Sequence, residues 1–134
     1  AKYDQQPGAA FAAADVTVTD ALDGLAMDLA PAYGSVPGLG RYRRSVHLTD
    51  TGLTLRDETD YPGTVALTLM SVEKPVISGA CVHLGTLAEV KTDGAAKILV
   101  ESVPITDARL RQAWPDTLYR TRVYFCGTLS VEVW

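Results

Sequence analysis

The sequence predicts an all-β fold, an antiparallel β-sandwich of about ten short strands with one short helical turn near residues 106–114. Three observations predict it. Apolar and polar residues alternate in short runs rich in Val, Ile, Thr and aromatics. Turn chemistry separates those runs about every 8 to 12 residues. No amphipathic stretch is long enough to be the crossover helix that a parallel sheet requires.

The elements follow in order. Ala13 to Thr19 is a β-branched strand that ends at Asp20, and Leu25 to Ala30 alternates with Leu25, Met27 and Leu29 on one side. Pro31 to Gly40 carries Pro37, Gly34, Gly38 and Gly40 and reads as a loop. Arg41 to Asp57 then reads as two strands folded on a turn at Thr49 to Gly52. If Leu48 sits opposite Leu53, Val46 meets Leu55 and Arg44 meets Asp57, so an apolar face ends in a matched ion pair. After a turn at Tyr61-Pro62-Gly63, Thr64 to Ser71 is apolar enough to be covered on both faces. Short strands are expected at Val76-Ile77, Ala80 to Leu84 and Thr86 to Lys91. Asp93-Gly94 reads as a hairpin turn into Ala95 to Val103. Thr106 or Asp107 caps the helical turn, Leu110 and Trp114 share its face, and Pro115 stops it. Thr117 to Cys126 and Leu129 to Trp134 close the chain, with Tyr119, Thr121, Val123 and Phe125 on one face and Arg120 and Arg122 on the other.

The 134 residues suit one domain spanning 1–134, with 47% hydrophobic and 21% charged residues, as in ordinary globular proteins. A net charge of −4 gives no reason to expect nucleic acid or an anionic membrane as partner. The one basic cluster, Arg41, Arg43 and Arg44, reads as one inward arginine and two solvated ones. Cys81 and Cys126 stand far apart without a CxxC, which suggests two small buried or half-buried residues rather than a metal or redox pair. No apolar run is long enough to span a bilayer. Ala1-Lys2-Tyr3-Asp4 has no apolar signal segment and no initiator methionine, so the chain is expected to be a piece of a larger protein.

Chemistry is sparse in the residues. His47 is expected on the exposed face of its strand and His83 between Val82 and Leu84, neither with a partner at metal-ligand spacing. Ser45 and Ser71 lack a nucleophile-elbow context. Gly34 to Gly40 is glycine-rich, but a strand rather than a helix and lysine follows it, which is not phosphate-loop context. Among the carboxylates Asp57, Glu58 and Asp60, strand geometry sends Asp57 and Glu58 to opposite faces, which breaks up a shared acid/base or calcium site. Tyr33, Tyr42, Tyr61 and Trp134 are compatible with a sugar-stacking surface, or with tyrosines at sandwich edges whose hydroxyls reach water. No residue is assigned as catalytic, cofactor-binding or metal-ligating.

Several segments in order carry a resemblance. Gln6-Pro7-Gly8-Ala9-Ala10-Phe11-Ala12-Ala13-Ala14-Asp15-Val16, Met27 to Tyr33, Arg43 to Asp57, Leu67 to Pro75, and Thr106 to Leu110 with Trp114 and Leu118-Tyr119-Arg120 together resemble the C-terminal β domain of heparinase II/III-like polysaccharide lyases. The first of these is similar to the family segment that follows a His-Asn…Asn-Gly stretch. The third is similar to its Arg-x-Val…Asp hairpin. The resemblance implies a parent with a helical toroid followed by β-sheet domains, cleaving acidic polysaccharides by β-elimination with tyrosine and histidine as base and acid. None of those catalytic groups maps onto this sequence. The implied role of the chain is therefore non-catalytic: partner to the N-terminal toroid of the same protein, stabilising it and helping to wall a cleft for acidic polysaccharide. Some members hold a structural zinc, for which Asp15 and His47 are the nearest residue types here, without a motif match. The alternative is a free-standing carbohydrate-binding β-sandwich module.

Overall fold

The computed structural model describes residues 3–134; Ala1 and Lys2, and what was read from them, lie outside the described residues. It is an all-β, antiparallel sandwich. Nine strands are described: β1 (Ala14–Val18), β2 (Gly24–Asp28), β3 (Tyr42–Thr49), β4 (Gly52–Thr59), β5 (Val65–Ser71), β6 (Val76–Ser78), β7 (Cys81–Leu84), β8 (Ala88–Pro104) and β9 (Thr117–Val133). Among the described residues, helical structure is confined to 3-10 turns at Ala9–Phe11, Ala30–Tyr33 and Leu110–Gln112. In the last, Asp107 Oδ1 accepts the Arg109 and Leu110 amides, the expected cap, while Leu110 and Trp114 stay half exposed.

The β3–β4 hairpin has the register that side-chain alternation implies: Leu48 opposite Leu53, Val46 opposite Leu55, and Arg44 opposite Asp57. A one-residue slip would bury His47 and Ser45 and expel Arg44 and Val46, so burial of one face selects this pairing. Arg44 points inward and Arg41 is exposed, but Arg43 is half-buried rather than solvated.

The layers come from two long strands. β8 and β9 are 17 residues each and pair along nearly their whole length. The C-terminal half of β9 and the N-terminal half of β8 belong to a sheet ordered β1-β2-β3-β4-β9-β8-β7-β6, whereas β5 pairs only with the N-terminal half of β9. Asp93-Gly94 is therefore not a hairpin turn, and Thr117–Cys126 and Leu129–Trp134 are not separate strands. At this point Asp93 pairs with Ser130 and Ala95 with Phe125, so the strands fall out of step. Gly94 (φ +91°) and Gly127 (φ +71°) take conformations that suit a bulge as well as a turn, and a partner strand on each side makes the chain bend instead of reversing.

The bend brings the two halves of the ribbon around one core. Leu67, Val123 and Phe125 from the three-stranded layer join Leu129, Val131, Val82, Val90 and Tyr42 from the larger one. β5 is covered on one face only: Leu67 is buried, but Thr68 and Met70 are exposed. The loop after β2 adds to the core as well: Val36 is buried and Leu39 packs against the cluster.

Candidate functional site

A cleft of about 510 Å³ opens where the smaller layer stops, between β3, β5, β9, the loop after β2 and the N-terminal segment. Arg44 and Tyr42 line it above the buried carboxylate of Asp57. Asp57, 0% exposed, accepts hydrogen bonds from Arg44 Nε (2.7 Å), Arg44 Nη2 (2.7 Å) and the Tyr42 hydroxyl (2.8 Å). A charge this deep needs such satisfaction, because a buried carboxylate with fewer donors forfeits its hydration without compensation. Strand alternation places Arg44 and Asp57 on the inner face, and direct cross-strand pairing sets them together. Burial alone depresses the Arg44 guanidinium, but the hydrogen bonds and charge of Asp57 outweigh it and hold the group above its ordinary value. Burial and then the Asp57 charge push the Tyr42 phenol well above the usual tyrosine range.

Tyr33 forms one wall. The 3-10 turn Ala30–Tyr33, with Pro31 in its first turn, stacks the Tyr33 ring on Tyr42 with centroids 6.0 Å apart and an 18° interplanar angle. Burial pushes its phenol up too, against the opposing pull of Arg44. Asp28 fixes this turn to β3 by accepting the Ala30 and Tyr42 amides, and Asp60 accepts the Gly40 and Arg41 amides at the far end of the same loop.

The opposite wall comes from β9. Arg120 donates twice to Glu101 Oε2, at 2.9 and 2.7 Å, across the β8–β9 pair. Arg122 lies 3.8 Å from that same oxygen and makes one long hydrogen bond, 3.4 Å, to the Tyr124 hydroxyl. That bond, helped by Glu101 against burial, holds the Arg122 guanidinium above its ordinary value. Tyr3, Asp4 and Gln5 complete the lining, and their segment is pinned where the Gln6 amide donates to the Ala32 carbonyl at 2.7 Å.

Of the four aromatics read as a possible stacking surface, the structure brings Tyr33, Tyr42 and Tyr61 to this cleft. Tyr42 is 2% exposed with its hydroxyl on Asp57, so it braces the cleft and offers no ring face, and its hydroxyl is not in water. Trp134 lies elsewhere, its backbone paired with Glu89. Sequence reasoning missed Tyr124 as a site residue and did not gather Arg120 and Arg122 into one. The available signal was their shared parity on β9, opposite to the buried Val123 and Phe125.

Most of the other candidates stay apart from the cleft; Asp57 lies beneath its lining, and Cys126 Sγ is 3.7 Å from the hydroxyl of the lining residue Thr64. His47 is exposed with Nδ1 3.9 Å from Asp23, and Asp15 sits at the β1 irregularity near Asp28, at the other end of β2. His83 pairs with Glu89 across β7 and β8 at 3.3 Å. Ser45 lies within β3, and the Ser71 hydroxyl donates to the Glu73 carbonyl. Asp57 is buried while Glu58 faces Arg56 and Arg41 on the other side. Cys81 is half-buried but Cys126 is exposed, because it falls at the bend where the strands part; neither is disulfide-bonded. Among the described residues no three His, Cys, Asp or Glu side chains converge as a metal site would require, and no helix is long and apolar enough to cross a membrane.

Compared with models of protein families and with curated proteins, the chain matches none.

Proposed function

We propose that this chain is the non-catalytic C-terminal β-sandwich of a heparinase II/III-like polysaccharide lyase, supporting the toroid of its parent and walling one side of the substrate cleft. The observation that carries the reading is the composition of the cleft. It gathers tyrosine rings and arginines suited to an anionic sugar chain, yet the described lining contains no histidine and one carboxylate, the exposed Asp4, while Asp57 lies beneath the lining and is consumed by Arg44 and Tyr42. β-Elimination requires a base at the C5 proton, an acid at the leaving oxygen and neutralisation of the uronate carboxylate. This cleft supplies arginines for the last of these and lacks a matched acid and base for the others. The ordered sequence resemblance, from the Arg43–Asp57 hairpin to the closing segment, supports the family reading.

Two measurements test it. The chain alone, mixed with heparan or alginate-type polymers, is expected to generate no unsaturated-uronate absorbance; a rising absorbance would overturn the non-catalytic assignment. Deleting these residues from the parent is expected to lower the melting temperature of its helical part, and an unchanged melt would overturn the supporting role.

The open cleft with half-buried Tyr33 and Tyr61 at its edge also favours the alternative, a free-standing carbohydrate-binding module. Saturable binding of neutral oligosaccharides, lost in Tyr33→Ala or Tyr61→Ala, would favour it over the lyase domain.

A further inference from the structure

Resting on the reading of this cleft as a saccharide-facing wall, we infer that Arg122 forms a subsite for one carboxylate or sulfate group of an acidic saccharide, and that the chain's own Asp4 competes for it. The three cleft arginines differ in how fully they are satisfied. Arg44 and Arg122 are almost equally exposed, 24% and 23% of their side chains. Arg44 nevertheless spends two donors on Asp57 at 2.7 Å and approaches the Tyr42 hydroxyl with a third contact at 3.4 Å. Arg120 commits two donors to Glu101. Arg122 has a 3.4 Å bond to a neutral phenol and a 3.8 Å approach to an oxygen that Arg120 already holds.

A guanidinium presents five N–H donors in a planar fork, so Arg122 keeps most of its capacity. Glu101 is held at hydrogen-bond distance by Arg120, so Arg122 has no carboxylate within that distance. A carboxylate or sulfate offers paired oxygens at the spacing that the fork accepts. The other lining groups suit a sugar ring carrying such a group: Tyr33 and Tyr61 present half-buried rings, Thr68 on β5 presents a hydroxyl, and the hydroxyl of Thr64 beside it is shared with Cys126 Sγ at 3.7 Å.

Asp4 lines the same cleft on the segment that Gln6 pins to Ala32, with the Gln6 side chain donating to the Asp4 carbonyl at 3.0 Å. Its negative charge helps to hold the Arg122 guanidinium above its ordinary value and adds to the upward push on the Tyr33 phenol, so it acts on both walls. Asp4 is itself exposed and acts on Arg122 through space, so an anion arriving at Arg122 meets its repulsion rather than an ion pair that must be broken.

Calorimetric titration of the intact chain tests this with three hexasaccharides: an oligouronate, a carboxyl-reduced sulfated oligosaccharide, and neutral cellohexaose. The acidic probes are expected to bind saturably and with affinity that falls as salt rises, while cellohexaose binds far more weakly. Whichever acidic probe binds more tightly identifies the group preferred. Arg122→Gln is expected to weaken acidic binding by about tenfold or more. Arg122→Lys, which keeps the charge without the fork, is expected to fall between the two. Asp4→Asn is expected to tighten binding, and Arg41→Gln, outside the cleft, to leave it within about twofold. Thermal melts establish that each variant is folded; if Arg122→Gln is not, the Arg122→Lys and Asp4→Asn results decide.

Absence of saturable acidic binding to both wild type and Asp4→Asn would overturn the subsite, as would Arg122 variants that match wild type. Unchanged affinity in Asp4→Asn would overturn the competition. Neutral binding as tight as acidic, sensitive to Tyr33→Ala, would leave the saccharide wall standing and remove the anion subsite. Lyase activity of the chain alone would instead overturn the non-catalytic reading, whatever Arg122 does.

Discussion

Replacing Arg44 with alanine strands a carboxylate. Asp57 is wholly buried and loses two of the three hydrogen bonds it accepts, keeping only the one from Tyr42. Breaking a buried pair by removing one partner costs about 3–5 kcal/mol, because the remaining charge stays desolvated and uncompensated. Arg41 gives the contrast. Its guanidinium is 61% exposed and sits 3.7 Å from Glu58, so Arg41→Ala should cost about 0.2–1 kcal/mol. A domain of this length loses roughly 3–4 °C of melting temperature per kcal/mol. Arg44→Ala should therefore melt about 9–20 °C below wild type, and Arg41→Ala within about 4 °C. The triple variant Tyr42→Phe/Arg44→Met/Asp57→Leu removes both charges and the hydroxyl that Asp57 accepts from, and should recover most of the loss, since apolar replacements of buried pairs are often neutral or better. Calorimetric or circular-dichroism melts in the same buffer measure all three. Equal, small shifts for Arg44→Ala and Arg41→Ala would refute the account of a buried brace.

Three further outcomes are expected. Gly94→Ala and Gly127→Ala share about 1–2 kcal/mol of left-handed strain. A Cβ at Gly94 also meets the Thr128 carbonyl oxygen at 2.5 Å, while one at Gly127 meets nothing within 4 Å. Urea denaturation should therefore show Gly94→Ala as clearly the more damaging, and equal losses would contradict the bend geometry. The carboxylates of Glu101, Glu58 and Asp60 are held below their ordinary values, chiefly by hydrogen bonds from Arg120, from Arg56 and from the Arg41 amide. A depressed folded value contributes stability above the unfolded value, 4.5 for Glu and 3.8 for Asp, and loses it as pH falls through the lower folded value. Melting temperature should drop as pH goes from about 5 to about 3, and a flat profile would exclude these contributions. The Tyr42 phenol is shifted the other way from 10.0, so its contribution is complete below that value and is lost as pH rises beyond it. In alkaline absorbance titration Tyr42 should ionise only together with unfolding; early, reversible ionisation of every tyrosine would contradict its burial.

The extent of what was legible in the sequence differs between elements. The β3–β4 hairpin could be read to the residue, since both strands alternate cleanly and a matched Arg and Asp mark the end of the inner face. The β8–β9 ribbon could not. Asp93-Gly94 carries the chemistry of a two-residue turn and of a bulge alike, and the choice rests on which strands flank it. Thr64 to Ser71 looked covered on both faces because its exposed-face residues include Ala66 and Met70; periodicity records apolar character, not whether a second layer reaches that far. In the cleft, Tyr33, Tyr42 and Tyr61 were legible as a group, but Arg120, Arg122 and Tyr124 join them only through the folding of β9 against β5.

Local alternation, turn residues and charge pairing determined by themselves that this chain is an antiparallel β protein with its Arg44–Asp57 pair inward, because those signals act between neighbours in sequence or across one short hairpin. The layer each half of β8 and β9 belongs to, and the cleft that results, were decided only by tertiary structure. The reason is physical: the two layers close on a core that joins Leu67, Val90 and the Phe125–Leu129 stretch, three places far apart in sequence whose meeting no local pattern encodes.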